Sequence, residues 1–267
     1  MKKIVALMLS LLMVLSLAAC GAKDNTDETA KTDMEYVKDK GVLVVGITDY
    51  APMDFKEEGN DEWVGFDADM AKAFAKEIGV DIEFVEIDWD NKIMELDSKA
   101  IDCVWNGMTL TDEVKAGMDC SNAYCNNSQV VIVPADKADK YQTVESLADL
   151  NFVVETGSAG QGQAEANKLE FTPVDTQAKA LFEVKSKTAD AAIIDALMAG
   201  AMVGDGTDYA DLTYTVNLGD EEFGVGFRKD SDLVKALNDF FAASYADGSM
   251  MKCAEDYGVQ AAIIPQK

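Results

Sequence analysis

The chain has 267 residues, of which 48% are hydrophobic and 27% charged, so it can bury one large core or two modest ones and is not a wholly disordered chain. It carries 23 Lys and Arg against 49 Asp and Glu, a net charge of −26, which repels phosphate backbones and excludes nucleic acid as a partner. The absence of histidine excludes Ser-His-Asp triads, Cys-His pairs and His-ligated zinc. We expect neither a metal nor a cofactor.

The N-terminus has the three parts of a secretory signal peptide. Lys2 and Lys3 precede an apolar run at 4–17, and small residues follow before Cys20. The sequence LAAC at 17–20 resembles the lipobox of bacterial lipoproteins. We therefore predict a signal peptide at 1–19 and a lipid on the Cys20 thiol that anchors the protein to the extracytoplasmic face of the cell membrane. An ordinary signal peptide followed by a chance cysteine is the alternative.

Residues 20–38 are predicted to be the lipidated cysteine and a flexible tether, since the segment is polar and lacks periodicity. Export permits disulfides among the four remaining cysteines, and three pairings are possible. Free buried thiols are an equally good interpretation because two of the four lie in apolar or amphipathic patterns. The four are Cys103, Cys120, Cys125 and Cys253.

Hydrophobic patterning predicts alternating strands and helices in the first half of the chain. The helix at 66–78 is the clearest, because Phe66, Met70 and Phe74 recur every four residues and Gly79 follows as a stop signal. This alternation indicates a mostly parallel sheet whose ligands bind beyond the carboxyl ends of the strands. The other predicted elements are strands at 42–47, 82–87 and 101–105 and a helix at 91–99. The loops expected to converge are 48–51, 88–91 and 106–111.

A second α/β set follows, which indicates two lobes with a cleft between them. Thr176 is a plausible cap for one of its helices. The predicted strands are 130–133, 152–154, 191–194, 212–216 and 223–227, and the predicted helices are 160–169, 176–185, 196–203, 231–246 and 250–257.

Seven blocks in order resemble the polar amino-acid branch of the periplasmic-type substrate-binding proteins of ABC importers. The resemblance covers about residues 39–260 and implies a type II α/β fold of two lobes, joined by two hinge crossings, that closes on a ligand. Crossings are expected near 131–135 and 216–221, with lobe 1 at 39–132 plus 220–267 and lobe 2 at 133–219. The blocks are GVLVVG at 41–46, YAPMDF at 50–55, WVGFDADMAK at 63–72, IDCVWNGMTLT at 101–111, SNAY at 121–124, ADAAIID at 189–195 and FGVGFRK at 223–229.

The resemblance implies a set of ligand-binding residues in the first lobe. Tyr50 and Trp89 match positions where aromatic rings flank the substrate, and such rings attract an ammonium group. Asn106, Gly107 and Thr109 match a loop whose main-chain carbonyl and hydroxyl groups meet the ligand. Packing between lobes or a tight turn would also explain these residue types.

In the second lobe, Asp195 matches the carboxylate that pairs with the ligand's α-ammonium group, with a helix N-cap as the alternative. Ser158 matches a contact to the ligand's carboxylate, and the amides of loop 157–161 are expected to form an anion site. Glu155 is left open between cleft wall and surface.

Three other residues receive structural interpretations. Trp105 is expected to be a core residue, and Asp67 and Asp69 are expected to cap or solvate the helix at 66–78.

The chain departs from the family at Val114, which stands where the resemblance places an arginine that clamps the ligand's carboxylate. The only arginine, Arg228, is expected to be structural. Three interpretations remain open: the Ser158 loop binds the carboxylate alone, Lys115 replaces the clamp, or the ligand has no free α-carboxylate.

The resemblance implies a monomeric, membrane-tethered lipoprotein that captures a small polar solute, an amino acid or related amine, and delivers it to ABC permease subunits without performing chemistry. A ligand-binding partner of a sensor system and a dehydratase on the same fold are the alternatives.

Overall fold

The structure is a computed structural model that describes residues 31–267; the signal peptide, Cys20 and most of the predicted tether lie outside these residues. Folded structure begins earlier than predicted, because helix α1 (Asp33–Lys40) overlaps the end of the segment expected to be tether. A capping box stabilises its start: Thr32 accepts from the amide of Glu35, whose side chain accepts from the Thr32 amide. The helix ends at Gly41, which adopts the left-handed conformation.

The first half of the chain confirms the predicted alternation and adds short strands. Helix α2 buries Phe66, Met70 and Phe74, as its spacing predicts, and stops at Gly79, whose φ is +81°. The elements are β1 (Val42–Ile47), β2 (Phe55–Lys56), β3 (Trp63–Val64), α2 (Phe66–Ile78), β4 (Asp81–Glu86), a 3-10 helix (Trp89–Asn91), α3 (Lys92–Asp97), β5 (Cys103–Thr109), α4 (Asp112–Gly117) and β6 (Asp119–Cys120).

The second half contains the predicted elements with one merger. The strands expected at 212–216 and 223–227 form a single strand, because the intervening residues stay paired with β7. Thr176 caps α6 as predicted. The elements are β7 (Cys125–Pro134), 3-10 helices (Ala135–Lys140 and Val144–Leu147), β8 (Phe152–Glu155), α5 (Ala159–Ala166), β9 (Phe171–Val174), α6 (Gln177–Lys185), β10 (Ala191–Asp195), α7 (Ala196–Met202), β11 (Leu212–Phe227), α8 (Leu233–Asp247) and α9 (Ser249–Asp256).

The sheet joins two parallel groups of strands through one antiparallel pair. The strand order is β4-β1-β5-β11-β7-β10-β8-β9, with β6 paired to β11. Strands β4, β1 and β5 are mutually parallel, as are β10, β8 and β9. Strands β11 and β7 run antiparallel to each other and to the group that each one borders. This is the two-lobe α/β fold that the sequence predicts, and β7 and β11 are its two crossings.

Strand pairing locates the crossings. β7 already lies beside β10 from Gln129 to Ile132, so the first crossing precedes Gln129 and is earlier than the predicted 131–135. β11 pairs with β7 through Gly219–Glu222 before it reaches β5, in agreement with the second expected crossing. The lobe ranges themselves remain a prediction, because residues 32–267 form one compact unit.

The four cysteines of the described residues are free thiols, and Trp105 is a core residue as predicted. The Trp105 ring packs edge-on against Phe241, with centroids 5.6 Å apart. Arg228 is structural: its guanidinium contacts Asp33 at 3.0 Å and the fully buried Asp102 at 3.3 Å. The only arginine of the chain therefore links α1 to the residues just before β5 and is not among the residues that line the cavity.

Candidate functional site

A cavity of about 430 Å³ lies where the carboxyl ends of the two strand groups face each other. This volume is typical of a site for a small molecule. All seven residues predicted to bind ligand line it: Tyr50, Trp89, Asn106, Gly107, Thr109, Ser158 and Asp195. Six carboxylates and one ammonium group contribute to its wall: Asp112, Glu113, Glu155, Asp195, Asp220, Glu221 and Lys92.

Asp195 is held by amide side chains rather than by a helix end. It directly precedes α7, but its carboxylate makes no capping bond. Instead, Asn127 and Gln177 donate to it, and Gln129 Nε2 donates at 2.7 Å. Burial raises the pKa of Asp195, and the adjacent Glu221 carboxylate raises it further. Asp195 is therefore a fixed, buried acceptor in the cavity wall.

Glu221 joins Asp195 through shared donors. The Asn127 amide group donates to Glu221 Oε1 at 2.6 Å, and the Gln129 amide group donates to the same oxygen at 2.8 Å. Both amides also bond Asp195, so the two carboxylates face the cavity side by side. Two adjacent negative charges attract a cation more strongly than one.

Glu155 is a second buried carboxyl group in the cavity wall, at 2% exposure. Burial raises its pKa to about 8, although the charge of Lys92 and hydrogen bonds from Gln177 act to lower it. The cleft-wall interpretation of Glu155 is thus the correct one.

Tyr50 and Gly107 pack against each other at the end of β5. Gly107 has a φ of +54°, and a Cβ there would lie 2.5 Å from Tyr50 Cε1. Only glycine therefore permits the tyrosine ring to lie along this loop. On another side, the ring contacts Phe223 edge-on, with centroids 6.3 Å apart.

Buried hydrogen bonds fix the backbone of this loop. The Asn106 side chain accepts from the Thr48 amide at 2.8 Å and donates to Asp54 at 2.7 Å, so its side chain is engaged within the fold. Asp67 Oδ2 accepts from the Gly107 amide at 2.6 Å and from the Tyr124 hydroxyl at 2.7 Å. The prediction that Asp67 caps or solvates its helix is wrong, because its carboxylate points inward to anchor Gly107. Burial raises the pKa of Asp67 to about 7.

Lys92 connects the two sides of the cleft. Its ammonium group lies 4.8 Å from the centroid of the Trp89 ring, and it donates to the carbonyls of Trp89 and Gly157, each at 3.0 Å. Trp89 follows β4 and Gly157 follows β8, which belong to opposite strand groups. This role could not be predicted from the sequence, since the lysine lies in a short amphipathic segment.

The loop at 157–161, predicted to form an anion site, uses part of its hydrogen-bonding capacity within the fold. The Gly157 amide donates to Gln161 Oε1 at 2.9 Å, and the Ser158 hydroxyl accepts from the Gln161 amide at 3.1 Å as the N-cap of α5. The Ser158 amide donates to the Glu155 carbonyl at 3.3 Å. Three of the five amides are thus already bonded to the loop itself or to the end of β8.

The expected clamp position offers no charge. Val114 is 4% exposed and packs in an apolar cluster with Trp89 and Met108. Lys115 is exposed and is not among the residues that line the cavity. Among residues 31–267 there is no cluster of acidic residues and cysteines suited to a metal ion. In the same range, no helix has the length and apolarity needed to cross a membrane.

The sequence profile of the bacterial extracellular solute-binding proteins, family 3, matches residues 43–260. The chain belongs to this family. It is 30% identical over 258 residues to the arginine-binding extracellular protein ArtP of Bacillus subtilis, covering 94% of this chain and 96% of ArtP. It is 32% identical to the glutamine-binding protein GlnH of the same organism, covering 93% of this chain and 94% of GlnH.

Solved structures agree with this assignment. A substrate-binding protein of an ABC uptake transporter from Streptococcus pneumoniae, with bound histidine, matches with a TM-score of 0.79 and 29% identity, covering 86% of this chain and 98% of that one. An ancestral amino-acid-binding protein described as a precursor of cyclohexadienyl dehydratase matches with a TM-score of 0.76 and 32% identity, covering 84% and 98%. The family members named here are binding proteins rather than enzymes.

Proposed function

We propose that this family 3 protein captures an amino acid or related amine in the cavity and delivers it to an ABC importer. The observation that carries the proposal is Asp195, a buried carboxylate held in place by three amide side chains in the wall of a cavity that Tyr50 and Trp89 also line. A ligand ammonium group supplies the positive charge that this carboxylate lacks within the fold, and the aromatic rings cover the ligand's apolar part.

The remaining predicted contact residues differ in whether they offer the ligand main-chain or side-chain atoms. Asn106 contributes through its main chain, because its side chain is bonded to Thr48 and Asp54. Gly107 allows the ligand close to the backbone, and Thr109 and Ser158 offer hydroxyl groups at the cavity wall. The Lys92 bond to the Gly157 carbonyl supports a closed state, which the importer would recognise.

Asp195→Asn tests the proposal by removing the charge while keeping the side chain's size. We expect at least a tenfold loss of affinity for the ligand, because a hydrogen bond between two charged groups is lost. Isothermal titration calorimetry against the amino acids and their amines measures this loss. Asp205→Asn, an exposed substitution of the same kind, is the control and should bind as the unmodified protein does. Equal affinity in both variants would overturn the role of Asp195.

We further propose that lipid on Cys20 anchors a monomeric protein to the extracytoplasmic face of the membrane. The LAAC sequence at 17–20 supports this proposal. Labelling of the expressed chain with a fatty-acid analogue, compared with Cys20→Ala, tests it: a label retained by the variant would contradict it.

A further inference from the structure

Two buried hydrogen-bond acceptors in the cavity wall have no donor within residues 31–267. Glu155 Oε1 and Gln129 Oε1 have no hydrogen-bond partner among the described residues, although each residue is only 2% exposed. Both residues line the cavity. Buried acceptors are nearly always paired, so these two oxygens indicate that a ligand supplies the donors.

Glu155 lies beside Asp195 but is a separate acceptor. The two residues end the parallel neighbours β8 and β10, with Ala192 of β10 opposite Val153 of β8. Gln177 bonds Asp195 and also interacts with Glu155, so a single amide side chain spans the two carboxyl groups. The wall therefore presents one acceptor pair at Asp195 and Glu221 and a separate acceptor at Glu155.

The charge of Lys92 does not remove the need for a cation at Glu155. The Lys92 ammonium group donates to the carbonyls of Trp89 and Gly157. Burial lowers the pKa of Lys92 and raises that of Glu155 despite their mutual attraction. The desolvation penalty of burying Lys92 and Glu155 is thus larger than the stabilisation from their mutual attraction.

The rest of the cavity lining offers little to an anion. Val114 is apolar at the expected clamp position, and Lys115 lies outside the cavity lining. At the Ser158 loop, three amides are already bonded to the loop itself or to the end of β8. Asp112, Glu113 and Asp220 add exposed negative charge to the lining. The field in the cavity therefore favours a ligand of net positive charge.

We propose that the ligand carries two cationic nitrogens, one bound by Asp195 with Glu221 and the other by Glu155, and that Glu155 determines the selection of this class. The inference rests on the proposed function and narrows its ligand to basic amino acids and the diamines that share their two cationic ends. Solutes with one ammonium group and a neutral side chain leave Glu155 unpaired in the wall, which costs affinity.

The test is a calorimetric panel on the purified full chain in which paired solutes differ by one group. Arginine against citrulline, and lysine against norleucine, vary the second cation. We expect the cationic member of each pair to bind at least tenfold more tightly. Comparing arginine with agmatine, and lysine with cadaverine, varies the carboxylate and so distinguishes a basic amino acid from a diamine as the ligand. Tight binding of either member supports the proposal.

Glu155→Gln should weaken binding of the cationic solutes at least tenfold and leave citrulline and norleucine unchanged or improved. Glu170→Gln, on the exposed surface, is the matched control and should change neither. Unchanged selectivity in Glu155→Gln would overturn the assignment.

A measurement on the unmodified protein covers the case in which the variant does not fold. Glu155 is faced by Lys92 from the start of α3, by Asp88 from the loop after β4, by Gln177 from α6 and by Asp195 from β10. Pairing with a cation ionises Glu155, so binding at pH 7.5 should release protons, which appear as a dependence of the heat on buffer ionisation. Absence of release overturns the role of Glu155.

The panel also separates this inference from the proposed function. If glutamine or citrulline binds more tightly than every cationic solute, the inference fails and the proposed function stands. If no amino acid or amine binds a chain that circular dichroism shows to be folded, both fail.

Discussion

The two strand groups each bury carboxyl groups near the cleft, and they use them differently. In the first, Asp67 has one oxygen bonded to the Gly107 amide and the Tyr124 hydroxyl, and Asp54 accepts from Asn106; neither lines the cavity. In the second, Glu155 and Asp195 line the cavity. Burial and a raised pKa are shared by all four residues. What distinguishes a structural carboxyl group from a ligand-binding one here is therefore whether it lines the cavity, not how deeply it is buried.

The strongest test of this comparison removes one carboxyl group from each region. Asp67→Ala leaves the Gly107 amide and the Tyr124 hydroxyl buried without an acceptor, at about 1–3 kcal/mol for each group. We expect the free energy of unfolding to fall by about 2–5 kcal/mol in urea denaturation. Asp195→Ala should change it by less than about 1 kcal/mol, because the loss of hydrogen bonds is offset by relief of repulsion from Glu221.

Ligand binding should show the reverse order. Asp195→Ala is expected to abolish ligand binding in calorimetry. Asp67→Ala should retain measurable binding under conditions in which the variant is folded. Equal losses of stability in the two variants would remove the distinction between the regions.

A smaller effect tests how the first region shapes the cavity. Gly107→Ala places a Cβ 2.5 Å from the Tyr50 ring at a φ of +54°, so we expect a stability loss of about 1–3 kcal/mol and weaker ligand binding. Gly200→Ala is the control: it lies in α7, where a Cβ meets nothing within 4 Å. It should be neutral or stabilise the protein by up to about 1 kcal/mol in urea denaturation. Tight binding by Gly107→Ala would show that Tyr50 does not need this close approach.

Local patterns were sufficient to predict most of the fold. The four-residue spacing ending at Gly79 predicts α2, and the apolar runs predict β1, β5 and β10. The capping box formed by Thr32 and Glu35 has a sequence signature, but it lies in a polar segment without hydrophobic periodicity, which predicts a tether instead. The merger of two predicted strands into β11 was not predictable in this way, because it depends on pairing with β7, which is distant in sequence.

Site residues were predictable where the residue type and its position in a family motif indicate a role. Tyr50, Gly107 and Asp195 lie in the cavity wall as the resemblance implies. Lys92 and Gln129 carry no such signal, because a lysine on a short helix and a glutamine in a strand are common on any surface. Asp67 and Glu155 show the limit most clearly. Each is a lone acidic residue in the sequence, and only tertiary packing decides which one is anchored inside the fold and which one faces a ligand.

The smallest expected effect is a pH dependence that separates the two regions in one protein. The pKa of Asp67 is raised to about 7 and that of Glu155 to about 8, from 3.8 and 4.5, so the folded state holds protons that the unfolded state has lost. This stability is present below the unfolded values and is lost as pH rises through about 7 and 8. Between pH 7 and 8 the ligand-free protein should lose about 1 kcal/mol, or roughly 2–4 °C in Tm by calorimetry. Glu155→Gln or a saturating cationic ligand should remove the part of the slope that extends to pH 8 and leave the part due to Asp67, since the ligand reaches only the cavity. If the ligand leaves the pH dependence of stability unchanged, Glu155 does not contact the ligand.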